Sequence, residues 1–521
     1  MGRTLITGVT VWGGAECEPE PGWVLLDGER IAATGHDETP AADEVVDLPG
    51  RHVLPGFVDT HTHLTVAAWQ PSGGDAAAWT GLRDALHAVR TAAEAAPHAP
   101  WLLFWNASLH AWPEGRLPTS AELDEAAPGR KVLVSGVDLH RGAVSSPALH
   151  LAEGEPGDLT KTGEVWEAAY GRVLRRALAD LGEAADPEEA LLAEARRHLA
   201  VGITHAHDPY VPPSAHDRMR RLAAATPLRL SWATGPETGI FDAPSREAPE
   251  GPYGEAVKEV KIFLDGADRC ALRVPMAALP GMVGGTVAEA LRRRAFGPIR
   301  EGMRRKMAFA GGGIELPYLR LTDEALVGLL AAYADDGIAV RIHALGNLAA
   351  EQAARAVAKT GARATLDHLT GLDRRTADLI AASGAHAAVQ PGFVTRFGGQ
   401  FATTGLDRHL AVAGARLLTD AGVPPVISSD HPCGPLDPLA NLRVAARRTF
   451  QPEQAIGYGQ AVAAATTRAA ASIGAPGSGG IAPGEVADLA ICDGHPFDDG
   501  TRCEQTWVAG RRADPYASNR I

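Results

Sequence analysis

VLPGFVDTHTHL, residues Val53 to Leu64, is a short apolar strand interrupted by Pro55 and Gly56 that ends in the pair His61 and His63. Alternate residues on a strand point the same way. Both imidazoles therefore project from one side of a strand end, spaced to grip one metal ion. Two histidines one residue apart are a weak signal alone, because many such pairs are solvated or packed. The apolar strand before them, Asp59 just ahead and the lack of a polar run that would mark a loose tag all favour ligation.

Working outward, the chain of 521 residues holds more than one domain's worth of sequence. A formal net charge of −14 argues against nucleic acid or an anionic membrane as the main partner. Five scattered cysteines without a CxxC pair fit reduced thiols rather than a disulfide framework. The N-terminus alternates like an edge strand and lacks the long apolar core of a signal peptide. Gly2 is followed by Ile6 where a myristoylation motif wants Ser or Thr. No apolar run approaches the ~20 residues of a membrane helix. The expected setting is cytoplasmic, the expected partner a small-molecule substrate, and a homodimer stays open.

Residues 1–54 carry short alternating segments separated by Gly and Asp turns, and residues 481–521 repeat that grammar. Each cluster is too small to fold alone, so both termini are expected to complete one β-sandwich. Between them, residues 55–480 alternate strand-like apolar runs with Ala-rich helical stretches, the pattern of a parallel α/β barrel. The strands are placed at Val53–Val58, Gly202–His207, Leu228–Trp232, Val257–Leu264, Ile338–His343, Ala364–His368, His386–Gln390 and Val426–Ser429. Two spacings, about 64–200 and 266–322, exceed a simple strand–helix unit and are expected to form lids or binding loops. The second holds the basic run LRRRAFGPIREGMRRK, read as a solvated helix face.

Four more residues of ligand type fall at expected strand ends. Lys261 is a charge in the apolar run EVKIFLDG, where an unpaired ammonium is costly. It must be paired, with Asp265 or Asp268 as candidates, or chemically altered. His343 and His368 end consecutive strands, and Asp430 ends the last one. His205 and His207 form a second HxH before Asp208; His205 is a candidate substrate contact, with core packing the plainer reading. Trp69, Trp101, Trp105 and Trp112 hint at an apolar substrate, and core packing explains them equally well. His431 would point away from Asp430 and is left out of the ligand set.

These residues resemble the first-strand signature and metal-ligand set of the amidohydrolase superfamily, metal-dependent hydrolases on a TIM-like (β/α)8 barrel beside a composite β-sandwich. Trp101, GRLPT, LD and the Asp138/His140 pair before SSPAL are similar to its YtcJ-like, amidohydrolase-3 branch, which includes N-substituted formamide deformylase-type enzymes. The resemblance implies one or two divalent ions, expected to be zinc, held by His61, His63, Lys261, His343, His368 and Asp430. It implies N6-carboxylation of Lys261 to bridge two ions, Asp430 as proton shuttle, and His140 reaching the substrate or its oxyanion; the plainer reading of His140 is a lid histidine satisfied by Asp138. Asp367 stands where relatives often carry Glu, a change expected to matter little. From the residues alone the reading reaches metal-activated water attacking an electrophilic carbon. A non-peptide C–N bond as the target comes from the resemblance. Ester or lactone hydrolysis and decarboxylation remain rivals on the same metals. A non-catalytic assembly protein on a retired barrel would be expected to have lost ligands that are all present here.

Overall fold

The computed structural model describes residues 2–13, 17–109, 112–152, 157–237, 239–242, 258–267, 269–294, 296, 299, 306–310, 312–475 and 477–514. Its centre is a run of eight parallel strands: Phe57–Asp59, Ile203–Val211, Arg229–Thr234, Glu259–Phe263, Ala339–Gly346, Ala364–Leu372, His386–Val389 and Val426–Ile427. Each pairs with the next in chain order. The first and last meet beyond their ends, where Thr62 and His431 form a parallel bridge. There Asp430 N–H donates to the His61 carbonyl and His63 N–H to the His431 carbonyl, each at 2.7 Å. The barrel mouth is thus closed by the segments that carry His61, His63 and Asp430.

All eight expected strands exist, with several ends shifted and one start moved to another sheet. Val53–Pro55 belongs to a long strand, Glu44–Pro55, of the terminal sheet, and the first barrel strand starts only at Phe57. Gly56 is the pivot between them. A Cβ at Gly56 would come within 2.3 Å of the Thr204 hydroxyl, so only glycine lets the chain turn this close to the second barrel strand. Val257, where the fourth strand was expected to begin, lies outside the described residues.

Strands from both termini join in one seven-stranded sheet. Leu489–Cys492 pairs antiparallel with Glu44–Pro55, which lies parallel to Arg3–Gly13. The far edge, Arg30–Gly35, returns to Val486 through an antiparallel bridge. The sheet therefore curls on itself around a core that includes Ile6, Val24, Val53, Leu489 and Trp507, which is the composite unit expected from the two ends.

The first long spacing is a folded α/β unit rather than an open loop. Three parallel strands, Gly74–Asp75, Leu102–Ala107 and Val132–Gly136, continue antiparallel into Arg141–Val144 and Glu164–Trp166. Helix Leu82–Ala95 turns Leu82, Ala85 and Val89 inward at helical spacing. Helix Ser120–Ala126 starts at a capping box in which Thr119 and Glu122 satisfy each other's end of the first turn. The second spacing forms a three-stranded sheet and helix Leu279–Arg293. That helix exposes Val283, Val287 and Leu291 together with Arg292. Most of the basic run that follows it lies outside the described residues.

None of the five cysteines is joined in a disulfide among the described residues. Among the described residues no helix is long and apolar enough to cross a membrane.

Candidate metal centre

His61, His63 and Asp430 converge, with one ligand atom from each lying within 4.8 Å of the others. Asp430 Oδ1 sits 3.3 Å from His61 Nε2 and 3.1 Å from His63 Nε2. His61 and Asp430 are buried and His63 is partly so. Burial alone would push the Asp430 carboxyl up, but His61 and His63 hold it well below the usual carboxylate range. His343 and His368 complete the ring, with ring centroids 4.4 Å apart and His61 4.8 Å from His368.

Local backbone explains why the side chains lean inward. His368 and Asp430 both adopt left-handed conformations, φ +76° and +51°, unusual for residues with a Cβ. Such strain is held only where the surroundings over-determine it. Asp59 supplies part of that constraint: its carboxylate accepts from the backbone N–H of Ser429 at 3.0 Å and of His61 at 3.3 Å. Neighbours point the opposite way, as strand alternation requires. Thr62 meets His198 Nε2 at 3.0 Å, and His431 Nε2 lies 3.2 Å from Glu194, so His431 stands outside the cluster as expected.

Gln390 Oε1 faces His368 Nδ1 at 3.1 Å, and an acceptor there leaves the Nε2 lone pair for a cation. Asp367 Oδ2 lies 3.2 Å from His61 Nδ1, close enough for charge to act between them although the two make no hydrogen bond. Nε2 of His343 and Oδ1 of Asp430 are buried without a hydrogen-bond partner. Lone pairs converging on a carboxylate in a buried site repel one another unless a cation sits among them. The donor set of imidazole nitrogen and carboxylate oxygen therefore fits a divalent ion of zinc type.

Lys261 enters the same site from the fourth strand, but its partner differs from the sequence expectation. Nζ donates to Asp367 Oδ2 at 2.6 Å, not to Asp265, and Asp268 lies outside the described residues. Asp265 instead accepts from the backbone N–H of Ala271, Leu345 and Gly346, fixing the loop that follows His343. Burial nonetheless lowers the Lys261 ammonium below its ordinary range. Asp367 also takes Arg341 Nη1 at 2.8 Å, and Arg341 Nε reaches Glu259 at 3.3 Å. Glu259 lies 2.8 Å from His207 Nε2. Asp367 is thus the hub of a buried ionic network, a larger role than a simple Glu replacement. Sequence reading passed over Arg341 and Glu259, although both are charges in apolar strands, the same signal that singled out Lys261.

His205 is not brought to the mouth. It bonds Ser231 Oγ at 2.9 Å, and burial pushes its imidazole down to about 3. Its strand partner Arg229 pairs with Asp488 beside the terminal sheet, which marks this as the opposite end of the barrel. Trp69 and Trp112 lie in two apolar cores of the insertion, and the Trp112 indole N–H donates to the Trp79 carbonyl. Packing accounts for both.

His140 does reach the site. It lies in the turn between Val132–Gly136 and Arg141–Val144, its ring centroid 5.1 Å from that of His343. Burial opposes charge on this imidazole, yet Glu167, 2.7 Å from Nδ1, lifts it to about 9. Glu167 was not read from the sequence.

Comparison with known proteins agrees with this geometry. Residues 44–513 match the model of the amidohydrolase family. N-substituted formamide deformylase of Arthrobacter pascens is 27% identical, with 92% of this chain and 91% of the relative covered. A putative amidohydrolase, YtcJ, of Bacillus subtilis is 26% identical over 87% of this chain and 86% of its own. Among solved structures, an uncharacterized metal-dependent hydrolase from Pyrococcus horikoshii shares the fold at TM-score 0.68, with 17% identity over 98% of this chain and all (100%) of that one. The zinc complex of atrazine chlorohydrolase TrzN from Arthrobacter aurescens follows at TM-score 0.51 and 17% identity, covering 98% of this chain and 94% of that one.

Proposed function

This chain belongs to the amidohydrolase family, and from that premise we propose that it hydrolyses a non-peptide C–N bond, that of an N-acyl or N-formyl amine, at a divalent metal centre. The observation that carries the reading is the convergence of His61 Nε2, His63 Nε2 and Asp430 Oδ1 in a buried site. His61, His63 and Asp430 would hold one ion, zinc being favoured by the donors; His343, His368 and a carboxylated Lys261 would hold a second. A bound divalent ion supplies Lewis acidity and brings the pKa of water to ~7.

The chain's own groups supply the rest. Asp430 keeps one oxygen beside the two imidazoles and the other toward His368, at 3.8 Å, so its carboxylate is held where it could accept a proton from a water activated among these residues. It takes one proton of the water and returns it to the leaving nitrogen, giving an amine and a carboxylic acid that then loses its proton to solvent. His140, above His343, faces the carbonyl oxygen and stabilises charge as it develops. The insertion that carries His140 covers the mouth and excludes water. Carboxylation requires Lys261 Nζ to give up its contact with Asp367; burial, which disfavours the ammonium, supports that exchange.

The name of the deformylase relative makes N-substituted formamides the first compounds to test. Purified protein incubated with an N-substituted formamide should release formate and amine in equal amounts. Release that ceases with a chelator and returns with zinc supports the proposal. Turnover of an ester or lactone in preference to every amide offered would replace the bond class while leaving the metal centre in place.

A further inference from the structure

Glu167 makes two contacts with His140. Its carboxylate Oε2 lies 2.7 Å from His140 Nδ1, and its backbone N–H donates to the His140 carbonyl, also at 2.7 Å. An ionised carboxylate only accepts, so the proton between them belongs to Nδ1. Glu167 opens helix Glu167–Ala184, where the helix end favours negative charge. It does so with φ +45°, a left-handed conformation that side chains with a Cβ adopt at a cost. Strained residues of this kind persist where the surroundings fix them, commonly at functional sites.

The barrel is shaped around this carboxylate. A Cβ at Gly266 would fall 1.9 Å from Glu167 Oε1, so glycine after Asp265 leaves the space it fills. Glu167 is 1% exposed, and Oε1 is buried without a hydrogen-bond partner. The insertion thus inserts one carboxylate at the end of the fourth barrel strand, beside the loop that Asp265 ties to the residues after His343. With Nδ1 taken, Nε2 is the ring nitrogen left to meet a substrate.

We infer that Glu167 is a positioning residue for His140, holding the imidazole by Nδ1 so that Nε2 is presented to the substrate over the metal-ligand histidines. This rests on the reading of His140 as a substrate-facing group. The arrangement follows the logic of hydrolase triads, in which a buried carboxylate orients an imidazole without touching the reacting atoms. It also gives the insertion a defined role: one end of the dyad is carried on its sheet and the other on its helix.

The test is a double-mutant cycle on the full-length, metal-loaded enzyme, with an N-substituted formamide as probe. His140→Asn and Glu167→Gln should each lower kcat, by about 10²-fold and at least about tenfold, with KM changed far less. The double variant should be no slower than His140→Asn alone, because residues acting as a unit are not additive. Metal content should match wild type in all three. Losses that multiply would overturn the inference, showing that Glu167 acts independently of His140. Wild-type turnover by His140→Asn would sink the underlying reading of His140 instead. A second readout needs no turnover: a low-field imidazole N–H proton resonance, present in wild type and absent from both single variants. Its absence from wild type, or its persistence in Glu167→Gln, contradicts the contact. Where Glu167→Gln does not fold, Glu167→Asp, which draws the charge back by one methylene, carries the same cycle.

Discussion

Asp367 accepts the Lys261 ammonium at 2.6 Å in a site where both side chains are buried. The same carboxylate faces His61 Nδ1 and takes a guanidinium nitrogen of Arg341, so one side chain ties three barrel strands to the segment that carries His61 and His63. Breaking a buried pair from one side typically costs about 3–5 kcal/mol, because the remaining charge has no water to replace its partner. Asp367→Asn should therefore unfold at a markedly lower urea concentration. It should also bind metal about 10–100-fold more weakly, since the imidazole of His61 loses the negative charge beside its Nδ1. A variant with wild-type midpoint and metal affinity would show that Arg341 and Lys261 are neutralised elsewhere.

Lys261 is read as carboxylated in the loaded enzyme. Protein exposed to ¹³C-labelled bicarbonate and zinc should show a carbamate carbon resonance that Lys261→Ala lacks. That variant should hold less metal than wild type and recover part of its activity with added short carboxylates. A wild-type protein with no carbamate signal and full metal content leaves Lys261 as an ammonium on Asp367.

Glu122 gives a pH-dependent prediction far from the metal centre. Its hydrogen bonds from Arg116 and from the backbone and hydroxyl of Thr119 pull its carboxyl down from 4.5 to about 2, against burial. A depressed carboxyl stabilises the fold above its unfolded pKa and loses that contribution as pH falls through the folded one. Glu122→Gln should thus cost about 1 kcal/mol near neutrality, the worth of a helix cap rather than of its exposed ion pair. The gap between wild type and variant should close between pH 4.5 and about 2. A gap that persists at the acid end would assign the effect to shape instead of charge.

What the sequence made legible follows from what each signal depends on. The barrel was readable because its strands are buried on both faces and appear as apolar runs between Ala-rich helices. The residues that converge at the mouth were readable as candidate ligands because imidazole or carboxylate at the end of such a run has few structural uses. The strand break at Pro55–Gly56 was visible, but the register was not: whether Val53 pairs in the terminal sheet or the barrel depends on partners more than 400 residues away, at Leu489–Cys492. The insertion was read as a lid from its length and aromatic content, which do not show that LLFWNA and VLVSG form strands of a sheet of its own. Lys261 was expected to pair with Asp265 or Asp268, which are near in sequence, and meets Asp367 instead, which is near only across the barrel. Glu167 gave no local sign at all, being one acidic residue at the head of an ordinary helix.

Asp430 separates proton transfer from metal binding. Asp430→Asn keeps the size and one acceptor oxygen but cannot take a proton. It should fold, keep most of its metal and turn over about 10²–10⁴-fold more slowly. Near-wild-type turnover would move the shuttle to another group, with His140 the nearest alternative.

The central claim is that His61, His63 and Asp430 hold a divalent ion on which activity depends. Elemental analysis of wild type and of the His61→Asn/His63→Asn variant, both purified without chelator, tests it most directly. Wild type should carry at least one zinc-type ion per chain, and the variant, still folded by circular dichroism, should lose metal and turnover together. A metal-free wild type that still releases amine, or a variant that keeps its full metal content, would contradict the claim.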